Sequence, residues 1–203
     1  MTSILTGRPE AGRRRSLALL ALAMLPGVSS GQGREAPLDA TALAALREGG
    51  VVLALRHALA PGTFDPPGFA LGQCSTQRNL NEEGRDQARR IGAWFARVGL
   101  TPRRVRTSQW CRCQETARLA FGTADDWPML NSLAREGPAE AARDAALREA
   151  LAAVPRGAFE VWVTHQFNIR ALSGETTGSG DGVVLRGPRP REPVQVVGTW
   201  RGT

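Results

Sequence analysis

The 203-residue chain contains only two histidines, and each stands directly after a short apolar run. His57 follows Val51-Val52-Leu53-Ala54-Leu55 and then Arg56; His165 follows Phe159-Glu160-Val161-Trp162-Val163-Thr164. A neutral imidazole is a nucleophile able to form covalent intermediates, and neighbouring arginines keep it neutral by lowering its pKa from about 6.5. A guanidinium fork makes charge-assisted, bidentate hydrogen bonds to phosphate. Two histidines with Arg56 and Arg112 could therefore hold a phosphoryl group, which in transfer spreads charge over its three equatorial oxygens.

The elements that must position these residues alternate along the chain. Asp39 caps a short helix carrying Leu43 and Leu46, which Gly49-Gly50 ends. Val51 to Leu55 and Phe159 to Thr164 are continuous apolar runs of the kind found in strands buried on both faces. Pro61, Gly62, Pro66, Pro67, Gly68 and Gly72 make residues 60–80 a long loop. Asn81, with Glu82 and Glu83 in the first turn, opens a helix whose apolar stripe is Ala88, Ile91, Phe95 and Val98. Arg104 to Thr107 is a short strand, and Arg112 to Phe121 a helix. A further helix follows Pro138, with Leu147, Leu151 and Val154 on one face. Val183 to Leu185 and Val194 to Thr199 finish the chain as an antiparallel pair. This order predicts a single three-layer α/β domain, its central sheet mainly parallel and its helices on both faces. In such folds chemistry collects at the carboxyl ends of the strands, where both histidines fall.

The formal charge is +7, and all 26 basic residues are arginine. Residues 1–30 hold four Arg and one Glu, so the remainder carries +4. No basic cluster interleaved with aromatics survives there, which speaks against nucleic-acid binding. Arg13-Arg14-Arg15, the apolar stretch Leu17 to Leu25 and the exit Val28-Ser29-Ser30 compose a secretory signal peptide over residues 1–30. Cleavage near Gly31 would leave residues 31–203 as the mature domain, periplasmic or secreted, with no stable membrane insertion. Arg14-Arg15-Ser16-Leu17 also permits a twin-arginine route.

Leu55-Arg56-His57-Ala58 resembles the Arg-His-Gly signature of the histidine phosphatase (phosphoglycerate mutase-like) superfamily, with Ala58 replacing Gly. Thr107-Ser108-Gln109-Trp110-Cys111-Arg112-Cys113-Gln114-Glu115-Thr116-Ala117 resembles its second block, and Thr164-His165 its third. Asn79 to Arg85 and Thr164 to Ile169 look most like a small exported branch. The resemblance implies a hydrolase of small phosphorylated substrates that needs no metal or cofactor. His57 would be the nucleophile, Arg56 and Arg112 the phosphate ligands, and His165 a ligand steadying the transition state. It also calls for a general acid between the second and third blocks: Glu136 is the best placed, Asp181 the second choice. Arg78 either reaches the substrate or is a surface arginine. A mutase of the same chemistry, or a silent phosphate- or sugar-binding module, are the competing readings.

The cysteines fit neither rival chemistry. A cysteine phosphatase needs five residues between Cys and Arg, whereas Arg118 follows Cys113 after four and Cys111 after six. Two histidines and Cys-x-Cys lack the spacing of a zinc site. All three cysteines should gather at the pocket rim, with one disulfide from Cys74 to Cys111 or Cys113.

Overall fold

The computed structural model describes residues 1–2, 37–132, 138–188 and 193–202. Apart from residues 1–2, the expected signal peptide lies outside the described residues, as do its expected cleavage point and Glu136. The folded unit spans Glu35–Thr203.

Helix α1 (Ala40–Glu48) starts where the Asp39 carboxylate accepts the Ala42 N–H at 2.7 Å. It ends at Gly49, whose φ of 76° suits a residue without a side chain. Strand β1 (Val51–Arg56) follows directly. The loop of residues 60–80 then runs without strand structure to a 3-10 turn at Cys74–Thr76. Helix α2 (Glu82–Arg97) is capped by Asn81, which accepts the Gly84 N–H, and carries Glu82 and Glu83 in its first turn. Next come β2 (Arg104–Thr107), α3 (Cys111–Phe121), β3 (Asp125–Asp126), α4 (Pro138–Ala152) and β4 (Phe159–Thr164). Helix α5 (Gln166–Ser173), β5 (Gly182–Arg186) and β6 (Gln195–Trp200) complete the chain.

The six strands form one sheet in the order β3-β2-β4-β1-β5-β6. The first four are mutually parallel; β5 runs antiparallel to both β1 and β6. Alternation along β1 shows why the sheet needs cover on both sides. Val51, Leu53 and Leu55 pack with Leu46 of α1, Ile91 and Phe95 of α2 and Ala117 of α3. Val52 and Ala54 face the other core, with Leu147 and Leu151 of α4 and Ile169 and Leu172 of α5. The expected three layers are therefore present.

Local differences have simple causes. In α2, Trp94 is buried while Val98 is the half-buried C-cap, because the stripe drifts around the helix over four turns. Helix α5 has no counterpart among the sequence signals, since its eight residues begin directly after His165 and show only a short apolar face. The two-residue strand β3 is too short to leave a pattern in sequence. Among the described residues no helix is long and apolar enough to cross a membrane.

Candidate active site

Register brings the histidines together. Arg56 at the end of β1 pairs with Thr164 at the end of β4, so His57 and His165 each take the next position on the same sheet edge. The His57 N–H donates to the Thr164 carbonyl at 3.0 Å, and the ring centroids lie 5.5 Å apart at 68°. On the other side of β4, the Ser108 N–H donates to the Val163 carbonyl, which carries β2 into the helix bearing Arg112. Thr116 of that helix ties it back to the first histidine. Its hydroxyl accepts the Ala58 N–H at 3.0 Å and donates to the Arg112 carbonyl at 2.7 Å.

A cavity of about 210 Å³ opens at this edge, lined by Arg56, His57, Arg78, Arg112 and His165. Thr63, Phe64, Asp65, Trp110, Ser132, Gln166 and Phe167 form the rest of its wall. A wider hollow at the β2–β3 edge, bounded by Arg104, Gln114 and Asp125, includes neither histidine.

The protons on His57 follow from its neighbours. Nδ1 lies 2.8 Å from the Ala58 carbonyl oxygen, which only accepts, so Nδ1 carries the hydrogen. Nε2 is thereby left with its lone pair, at 3.3 Å from the Nε–H of Arg112. Burial, with the charges of Arg112, Arg56 and Arg78, lowers the His57 pKa to about 3 despite the Ala58 hydrogen bond. The ring is therefore a neutral base at pH 7. Burial likewise holds His165 well below its ordinary value, helped by His57 and the same arginines.

Two of the arginines that line the cavity are anchored on backbone carbonyls. Arg56 anchors one Nη on the Thr177 carbonyl at 2.7 Å, and Arg78 anchors one on the Ala60 carbonyl. In both, Nε is buried without a hydrogen-bond acceptor among the described residues. A buried N–H of this kind costs free energy until an acceptor arrives. Arg78 thus belongs to the pocket wall rather than to the open surface.

Asp65 is the residue that sequence reasoning missed. Its carboxylate binds the Arg112 fork in a bidentate pair, at 2.8 and 3.2 Å, and accepts the Arg78 backbone N–H and the Trp110 indole N–H, each at 3.0 Å. Burial raises its pKa, but these bonds and the Arg112 charge outweigh that and hold the carboxyl below its ordinary value. Nothing in Phe64-Asp65-Pro66 distinguishes it from a turn aspartate, since the contact forms only when residues 60–80 fold onto α3. That fold-back is fixed by the disulfide Cys74–Cys111, the bond from the Cys111 N–H to the Gln77 side chain at 3.0 Å, and Phe69 stacked on Trp110 at 5.0 Å. Of the two expected pairings the structure takes Cys111; Cys113 is a free, buried thiol 3.5 Å from His165 Nε2.

Asp181, the second candidate acid, is not part of the cavity wall. Its carboxylate accepts the N–H groups of Gly178 and Gly202 at 3.1 and 2.7 Å, and so braces the turn before β5. No group of three or more His, Cys, Asp and Glu side chains able to hold a metal ion occurs among the described residues.

Residues 55–133 match the sequence family described as the histidine phosphatase superfamily (branch 1). No curated protein matches the chain. Among solved structures, protein Rv3214 of Mycobacterium tuberculosis is similar at TM-score 0.53 and 16% identity, covering 75% of this chain and 98% of that one. A phosphoglycerate mutase from Thermus thermophilus is similar at TM-score 0.50 and 19% identity, over 74% and 98% of the two chains. A protein of Agrobacterium tumefaciens provisionally named as the phosphohistidine phosphatase SixA gives TM-score 0.50 at 22% identity, over 74% and 97%. The matched segment contains Arg56, His57, Arg78 and Arg112, the sheet supplies His165 in register beside them, and the fold is shared with these structures; over residues 55–133 the chain matches the histidine phosphatase superfamily.

Proposed function

We propose that this protein is a phosphomonoester hydrolase that works through a phosphohistidine at Nε2 of His57, acting on small phosphorylated substrates in an exported setting. The observation that carries this reading is the arrangement of the cavity: a neutral imidazole presents its lone pair among three arginines, two of which hold buried Nε–H groups without acceptors among the described residues. With Asp65 counted, the formal charge of this wall is about +2, which complements a phosphomonoester anion.

In the proposed reaction the phosphoryl group sits between the two rings. His57 Nε2 attacks phosphorus as the ester P–O bond breaks, and water then attacks the phosphohistidine, returning the electron pair to Nε2. Arg56, Arg78 and Arg112 hold the equatorial oxygens, where charge-assisted hydrogen bonds strengthen as charge develops. Export is supported by the signal-like N-terminus and by the Cys74–Cys111 disulfide, a bond that persists in oxidising compartments.

The test is quenching of the enzyme with a labelled phosphomonoester, avoiding acid, followed by peptide mapping. A base-stable, acid-labile label on the His57 peptide is expected, with none in His57→Ala. Label on another residue, or wild-type turnover by His57→Ala, would show the reading to be wrong.

A further inference from the structure

One buried chain of hydrogen bonds determines which nitrogen of His165 carries its proton. It begins at the backbone N–H of Gln109, which can only donate and reaches Asn131 Oδ1 at 2.8 Å. That contact orients the Asn131 amide, whose Nδ2 then meets Gln109 Oε1 at 2.8 Å. The Ser108 hydroxyl lies 3.1 Å from the same Oδ1 and must give its single proton to it. Its oxygen is left as an acceptor, used by the Trp110 N–H at 3.3 Å and lying 2.9 Å from His165 Nε2. Nε2 must therefore be the donor. A second neighbour agrees: Cys113 Sγ is 3.5 Å from Nε2, and its own proton points to the Thr164 carbonyl at 3.8 Å.

The chain is rigidly held. Ser108, Asn131 and Asn168 are all at most 3% exposed. Asn168 grips the backbone carbonyls of Leu130 and Asn131 at 2.8 and 3.2 Å, and the Thr164 hydroxyl also donates to Leu130. Nδ1 of His165 has no hydrogen-bond partner among the described residues, and His165 lines the cavity.

We propose that Ser108 and Asn131 are positioning residues that lock His165 as its Nε2–H tautomer, so that Nδ1 serves as the proton carrier of the reaction. This rests on the hydrolase reading above. A substrate entering as the monoanion passes its P–OH proton to Nδ1. As the His57 Nε2–P bond forms and the ester P–O bond breaks, Nδ1 returns that proton to the leaving oxygen, releasing the alcohol. In the second half Nδ1 takes a proton from the attacking water while the O–P bond forms and the P–Nε2 bond breaks; the proton then departs with inorganic phosphate. The role sought among the carboxylates thus falls to a histidine whose lone pair is aimed by its neighbours.

With only two histidines, ¹⁵N-histidine NMR of the mature protein resolves the question, and His57→Ala assigns His165. Wild type and Asn131→Asp, which keeps an acceptor for Ser108, should show a single Nε2–H form of His165. Asn131→Leu frees the Ser108 proton to point at Nε2 and should move His165 to the Nδ1–H form; Ser108→Ala should give a mixture. An Nδ1–H signal in wild type overturns the proposal without any variant having to fold. Kinetically, Ser108→Ala and Asn131→Leu should each lower kcat for an alkyl phosphate about 100-fold, the low end of acid–base contributions, and much less for an aryl phosphate with a good leaving group. Equal losses on both substrates, or a leaving-group-dependent loss in Glu136→Gln instead, reject the proton-carrier role. A wild type with the Nε2–H form but no phosphomonoester turnover would reject the hydrolase reading and leave the tautomer assignment standing.

Discussion

Replacing Cys74 and Cys111 together by alanine tests how the long loop is held against α3. The bond joins positions 37 apart in sequence. For a loop of that length the chain-entropy relation gives about 13 cal/mol/K, or about 4 kcal/mol at 25 °C, lost from the unfolded state's restraint. For a domain of this size each kcal/mol moves Tm by about 2–4 °C, so the double variant should melt about 8–16 °C below wild type. The same loop carries Asp65 and Arg78 to Arg112, so freeing it should also raise KM for a phosphomonoester more than it lowers kcat. The assay is thermal melting by circular dichroism without reductant, with thiol counting on unfolded protein. One thiol, Cys113, is expected in wild type. In the folded state that thiol should resist alkylation, because burial pushes its pKa up to about 12. A Tm within about 2 °C of wild type, less than the shift of a single kcal/mol, would refute the reasoning, as would three thiols in wild type from an oxidising compartment.

Asp65→Asn removes the bidentate partner of a nearly buried Arg112, and hydrogen bonds to charged groups contribute about 1.5–3 kcal/mol each. A fall in kcat/KM of about 10-fold or more, measured on an aryl phosphate, is expected; unchanged kinetics would mean that Arg112 is oriented without Asp65. Folded His57 takes up a proton only near pH 3, whereas the unfolded chain does so near 6.5. The unfolded state therefore binds more protons between these values, so this contribution to stability is complete above about pH 6.5 and is lost as the pH falls toward 3. Urea titrations should show a smaller loss between about pH 7 and about pH 4.5 in His57→Asn than in wild type, and parallel curves would contradict this. Gly84→Ala places a Cβ 2.0 Å from the Leu59 carbonyl oxygen, forcing α2 away from the segment after His57. Overpacking of this kind costs about 1–3 kcal/mol, and a melting temperature equal to wild type would show that the helix shifts freely.

Much of the frame was legible in the residues themselves. Continuous apolar runs at Val51–Leu55 and Phe159–Thr164 specify strands covered on both faces, and the Asp39 and Asn81 caps mark helix starts, because these signals are local. The three blocks around His57, Arg112 and His165 pointed to one sheet edge, and parallel register at Arg56 and Thr164 is what brings them there. Asp65, the choice of Cys111 over Cys113, the inclusion of Arg78 in the cavity and the place of Asp181 outside the cavity wall depend instead on how residues 60–80 and the turn before β5 pack. Both segments carry turn residues with no period, and the chemistry of residues 60–80 is decided by contacts between positions 34 to 47 apart, such as Arg78 with Arg112 and Asp65 with Arg112. The tautomer of His165 is further still from the sequence. It is set by an amide, a hydroxyl and an imidazole from three separate segments, and only their hydrogen-bond directions in the folded interior determine where the proton lies.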